Sequence, residues 1–110
     1  MSIVIVFSTL PDVNQANLVA KTLVEEGLVA CVNILPGVQS VYRWQGQIES
    51  SAEVMLLIKT TTQAYPELEQ RIKALHPYEL PEIMAISPVA GLPAYLDWVV
   101  QSVSSSTDKD

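Results

Sequence analysis

The sequence predicts one α+β domain with the element order β-α-β-β-α-β-α. Three observations carry that reading. Runs of β-branched and aromatic residues alternate with stretches whose apolar residues recur at helical spacing. A Gln-Gly pair divides two long apolar runs, as in a hairpin. No linker or repeat splits the 110 residues, a length that suits a single domain. The domain is expected over residues 1–103, with a disordered polar tail over 104–110.

Ile3 to Phe7 is a continuous apolar run, read as a buried strand. Asp12 is a good N-cap, with Gln15 three residues on. Ala16, Val19, Ala20 and Leu23 then mark a helix over about Val13 to Glu26, which Gly27 is placed to end. Leu28 to Leu35 returns to strand character, Pro36-Gly37 interrupts it, and Val38 to Trp44 resumes. Gln45-Gly46 turns the chain into a partner strand that ends near Thr60. Seventeen residues from Leu28 to Trp44 would span roughly 56 Å, too long for a small domain to cover. The end of this ribbon is expected to meet another subunit.

Tyr65, Leu68, Ile72 and Leu75 form the stripe of a second helix, with Pro66 in its first turn and Pro77 past its end. Ile83 to Ser87 is expected as the fourth strand. Pro93 opens a third helix with Tyr95, Leu96, Val99 and Val103 turned inward. The first six elements match the split β-α-β, or ferredoxin-like, arrangement: four antiparallel strands with two helices on one face.

Composition narrows the function. Twelve Asp and Glu against six Lys and Arg leave a formal charge of −6, and the six basic residues are scattered. Nucleic acid is therefore not an expected partner. With 49% hydrophobic and only 16% charged residues, the chain has apolar surface to spare for burial between subunits. The apolar start lacks a basic leader region and is too short to span a membrane, so the expected location is the cytoplasm, with no membrane partner.

Enzymatic signatures are missing. There is no Walker loop, no G-x-G-x-x-G and no G-x-S-x-G, and a single His would have to serve any nucleophile. The densest polar cluster is His76-Pro77-Tyr78-Glu79-Leu80-Pro81-Glu82. Imidazole and carboxylate together suit a divalent transition metal. The same residues also suit a helix-ending loop, with His76 against the helix C-terminus and the prolines fixing the exit. Cys31, the single cysteine, sits mid-strand and reads as a small buried hydrophobe or as a nucleophile that only His76 could serve. Tyr42, Arg43 and Trp44 near the hairpin end read as cross-strand packing or as interface anchors. Lys59 reads as a strand-end charge or as an anion contact.

Taken together, Ala30-Cys31-Val32-Asn33, Pro36-Gly37, Ser40-Val41-Tyr42-Arg43-Trp44-Gln45-Gly46, Glu53 with Leu57-Ile58-Lys59-Thr60, the His76 to Ile83 stretch and Tyr95-Leu96-Asp97-Trp98 resemble the CutA divalent-cation tolerance proteins. The resemblance runs from Ile3 to Val103. It implies a ferredoxin-like subunit in a tight homotrimer, similar to the PII signalling proteins, with Tyr42 and Trp44 at the subunit interface. It implies a role in tolerance of divalent cations, copper above all, in the bacterial cytoplasm, and no enzymatic reaction. Animal relatives are associated with anchoring an enzyme. Some members carry a Cys at the position of Ser8 and a His at that of Leu75, so of the proposed copper ligands only His76 is present. A Cu²⁺ site here would rest on His76, with Glu79, Glu82 and Cys31 as lesser ligands. Two other roles are open: a PII-like small-ligand cleft lined by Lys59, Arg43, Trp44, Tyr78 and Glu82, or a stable trimeric scaffold for a protein partner.

Overall fold

The computed structural model describes residues 2–103. The expected tail, 104–110, lies outside the described residues. The elements are β1 (Ile3–Leu10), α1 (Val13–Glu25), β2 (Cys31–Trp44), β3 (Gln47–Thr61), α2 (Tyr65–Leu75), β4 (Met84–Ile86) and α3 (Pro93–Ser102). The strands form one antiparallel sheet in the order β2-β3-β1-β4. β3 thus lies between β1 and β2, the strands that α1 connects, which is the split β-α-β, ferredoxin-like arrangement.

Local signals set α1. Asp12 Oδ1 accepts from the Gln15 backbone N–H at 2.8 Å, and the Gln15 amide returns a bond of 3.1 Å to Oδ2. The backbone N–H of Gln15 is the main reason the exposed Asp12 carboxyl sits below its ordinary range. At the other end Gly27 takes φ +75°. Its N–H bonds Val24 O and that of Leu28 bonds Leu23 O, a Schellman ending.

The core lies between the sheet and the pair α1 and α2. Val4, Val6, Leu56 and Ile58 from the strands meet Ala16, Val19, Leu23, Leu68 and Ile72 from the helices. Each of these strand residues alternates with one that faces the other way. On that second face Cys31, Lys59 and Ile5 lie side by side across three strands. Cys31 Sγ is 3.9 Å from Tyr95 Oη of α3, which places this helix there. Val99 and Val103 are buried as expected, but Tyr95 is exposed and Leu96 half-buried in the single chain.

The long hairpin is present, with two changes. β2 begins at Cys31 rather than Leu28. Leu28 and Val29 are buried before the ladder starts, and the Leu28 carbonyl accepts from the Thr60 hydroxyl at 2.7 Å in place of a ladder bond. Fourteen residues span about 46 Å at strand rise, matching the longest dimension of the described residues, 47 Å. Pro36-Gly37 does not interrupt the strand. The register shifts there, Leu35 facing Met55 and Val38 facing Glu53, so three steps on β2 match two on β3. Gly37 supplies φ +85° and Pro36 lacks the N–H such a bulge would strand. At the end Gln45 and Gly46, φ 51° and 81°, make the two-residue turn. β4 is shorter than expected, three residues from Met84 to Ile86.

Candidate functional site

Because β4 pairs β1 only from Ile5 to Phe7, the edge of β1 beyond Phe7 is left without a strand. The loop that follows α2 covers it. The backbone N–H of His76 ends α2 on Ile72 O at 2.9 Å. The ring then turns to β1, with Nε2 2.7 Å from the Thr9 carbonyl. On its other side Nδ1 accepts from the backbone N–H of Tyr78 at 3.1 Å. A carbonyl can only accept and an amide N–H can only donate, so the partners fix the neutral Nε2–H tautomer. Burial holds the His76 pKa below the ordinary histidine value, outweighing the Thr9 carbonyl and Glu53, which favour the charged ring.

Tyr78 continues the chain of contacts. Its ring lies against His76, centroids 4.8 Å apart, and its hydroxyl donates to Glu53 Oε2 at 2.7 Å. Burial first, and the Glu53 bond second, push the Tyr78 phenol well above its ordinary pKa, so it remains a donor. Glu53 itself is only 9% exposed, one residue before the apolar run of β3. Thr9 on β1, His76 and Tyr78 in the loop, and Glu53 on β3 thus form one connected polar line.

This line bounds a cleft of about 700 Å³. Thr9, Ser40, Tyr42, Trp44 and Glu53 line it from the sheet, and Tyr78, Glu79 and Glu82 are among its lining residues from the loop. Ser40, Tyr42 and Trp44 are at alternate positions of β2, on the face that carries Glu53.

The sequence-predicted sites are rearranged by this geometry. Both His76 nitrogens are committed, one bearing the proton and the other accepting, so no lone pair is free for a metal ion. In this arrangement His76, the expected prime ligand, acts as a strut for the loop. Cys31 does not join Glu79 and Glu82. It pairs with Lys59 on the ladder and approaches Tyr95, while both glutamates line the cleft. Among the described residues no group of three or more His, Cys, Asp or Glu is placed to share an ion. Of the expected cleft residues, Trp44, Tyr78 and Glu82 come together. Arg43 and Lys59 are not in the lining. Arg43 stands between Tyr42 and Trp44 and so points to the opposite face. Lys59 lies far down the ladder, where Nζ donates to Asn33 Oδ1. Glu53 and Thr9 were not singled out from sequence. Glu53 had a visible signal, as the charge that opens an otherwise apolar run.

A family model described as CutA1 divalent ion tolerance protein matches residues 4–102. The chain belongs to the CutA1 divalent ion tolerance family. The divalent-cation tolerance protein CutA of Thermus thermophilus is 53% identical over 95 residues, 86% of this chain and 92% of that one. Its solved structure superposes with a TM-score of 0.90 at 49% identity, covering 93% of this chain and 99% of the other. A PII-like protein CutA from a Nostoc species, solved in apo form, gives a TM-score of 0.86 at 44% identity over 92% of this chain and 97% of that one. The chain thus shares its fold with a protein named for the PII resemblance, as the family resemblance implied.

Proposed function

We propose that this CutA chain is a non-enzymatic, cytoplasmic homotrimer that serves divalent-cation tolerance through its hairpin-loop cleft, not through a metal site at His76. The observation that carries this reading is the double engagement of the His76 ring. His76 is the sole histidine of the sequence, so its engagement also removes the usual general base from any hydrolytic scheme.

The trimer reading is supported by surface that a lone subunit leaves bare. Val41, Tyr42, Trp44 and Ile48 are exposed at the far end of the hairpin. Met84, Ile86, Val89 and Leu92 are exposed around β4 and the segment after it. β2 is an open edge strand fourteen residues long, and such an edge is a template for pairing with another chain. A PII-like assembly would cover Val41, Ile48, the surface around β4 and the β2 edge, with Tyr42 and Trp44 bordering both the interface and the cleft.

Cu²⁺ titration of the tag-free protein tests this reading, with its mass followed by light scattering and the copper environment by electron paramagnetic resonance. The expected result is a trimer without an imidazole-coordinated copper signal at one ion per subunit. Saturable binding of one ion per subunit with nitrogen coupling, lost in His76→Ala, would overturn the cleft reading in favour of metal handling at His76. A monomeric mass would overturn the assembly.

A further inference from the structure

We infer that the cleft binds an organic cation of the ammonium class, with the Glu53 carboxylate as its counter-charge; this rests on the cleft reading above and names its ligand. Glu53 is 9% exposed. A carboxylate so largely withdrawn from water, with one oxygen still reachable from the cleft it lines, favours a cation there. Oε2 accepts from the Tyr78 hydroxyl. Oε1 has no hydrogen-bond partner among the described residues, and the ion pair found among them is Arg71 with Glu26, elsewhere. The nearby His76 is held neutral by its two partners. Glu53 therefore lines the cleft with one oxygen held by Tyr78 and the other free of protein partners among the described residues.

The rest of the cleft has the same preference. Its lining contains no Lys, Arg or His, but the rings of Tyr42, Trp44 and Tyr78 and the carboxylates of Glu79 and Glu82. Aromatic rings attract cations through their quadrupoles, and acidic groups at the mouth add to the field. A divalent metal is the wrong shape of cation for this site. It needs several converging oxygen or nitrogen ligands, and the described residues offer no such group of three. A volume of about 700 Å³ falls in the range of small-molecule sites. An alkylammonium, which takes one carboxylate and the surrounding rings, fits both the chemistry and the space.

The experiment is calorimetric titration of the intact protein with choline and, separately, with its neutral isostere 3,3-dimethyl-1-butanol, at constant ionic strength. Saturable choline binding is expected, with the isostere weaker by about tenfold or more. Glu53→Gln, which keeps the shape and the Tyr78 bond, should weaken choline by a similar factor. Equal binding of the two compounds, or no saturable choline binding by a trimeric sample in the millimolar range, would overturn the inference. The isostere comparison uses the unaltered chain, so it decides the matter even if Glu53→Gln does not fold. If a basic side chain of a second copy were the counter-charge, choline would not bind and Glu53→Gln would lower the mass in solution, which also overturns it. Choline binding by a monomer would overturn the trimer reading and leave this inference standing.

Discussion

The two halves of the β2-β3 hairpin share one ladder but live in different surroundings. From Cys31 to Leu35, β2 is backed by a packed face, with Val32 and Ile34 against the core and Leu56 and Ile58 fully buried opposite. From Val38 to Trp44 the same ladder continues against Gln47 to Glu53, yet Val41, Tyr42, Trp44 and Ile48 are exposed. Hydrogen bonding is alike in the two halves and burial is not. Backbone pairing alone leaves a two-stranded ribbon marginal, so the near half is held by its core. The far half is held by the turn and by the line through Tyr78 and Glu53.

The largest test of this contrast is a pair of truncations. Ile58→Ala in the near half should cost about 2–5 kcal/mol of subunit stability. Ile48→Ala in the far half should cost within about 0.5 kcal/mol in the subunit and show mainly as easier dissociation on dilution. Chemical denaturation and light scattering read the two effects, and an equal loss of subunit stability in both variants would erase the distinction. Tyr78→Phe removes the phenol from the Glu53 carboxylate and should cost about 1–3 kcal/mol. Hydrogen exchange should show that loss around loop 76–82 before it reaches the amides of Leu56 and Ile58.

Acidification acts on the same junction through His76. The folded pKa is lowered, so below about 6.5, the unfolded value, the unfolded chain binds the proton first. The stabilising effect of the neutral ring is complete above that pH. It declines as pH falls toward the folded pKa, by at most about 1.4 kcal/mol per pH unit. Denaturation midpoints between pH 7 and pH 5 should show this slope and lose it in His76→Asn. The smallest effect is expected at Ser8, whose buried hydroxyl has no hydrogen-bond partner among the described residues. Ser8→Ala should be neutral or stabilising by about 1 kcal/mol, and a thermal midpoint lowered by several degrees would show that the hydroxyl is engaged.

Legibility followed distance along the chain. Helix α1 was readable because Asp12, Gln15 and Gly27 act on their immediate neighbours. The hairpin was readable because Gln45-Gly46 demands a tight turn. The start of β2 was not, because Leu28 and Val29 are apolar like a strand but are buried ahead of the ladder that β3 dictates. His76 stood out in sequence both as a candidate ligand and as part of a helix-ending loop. Its partner carbonyl belongs to Thr9, 67 residues away, and nothing local discloses that both nitrogens are spoken for. Arg43 could have been placed, since strand alternation alone sets it opposite Tyr42 and Trp44. Glu53 was visible as an isolated charge, but its tie to Tyr78 depends on the path of the loop.

The bulge at Pro36-Gly37 acts as a parity switch. Before it, the odd positions Cys31, Asn33 and Leu35 share a face; after it, the even positions Val38, Ser40, Tyr42 and Trp44 continue on that face. The absorption of one additional residue as a bulge therefore decides which alternate set of side chains meets loop 76–82. With Gly37 kept but the bulge straightened into plain strand, Gly37 would face Glu53, Val41 and Arg43 would take that side, and both aromatic rings would turn away. The chemistry of the cleft is thus encoded partly in a bulge that none of the lining side chains forms.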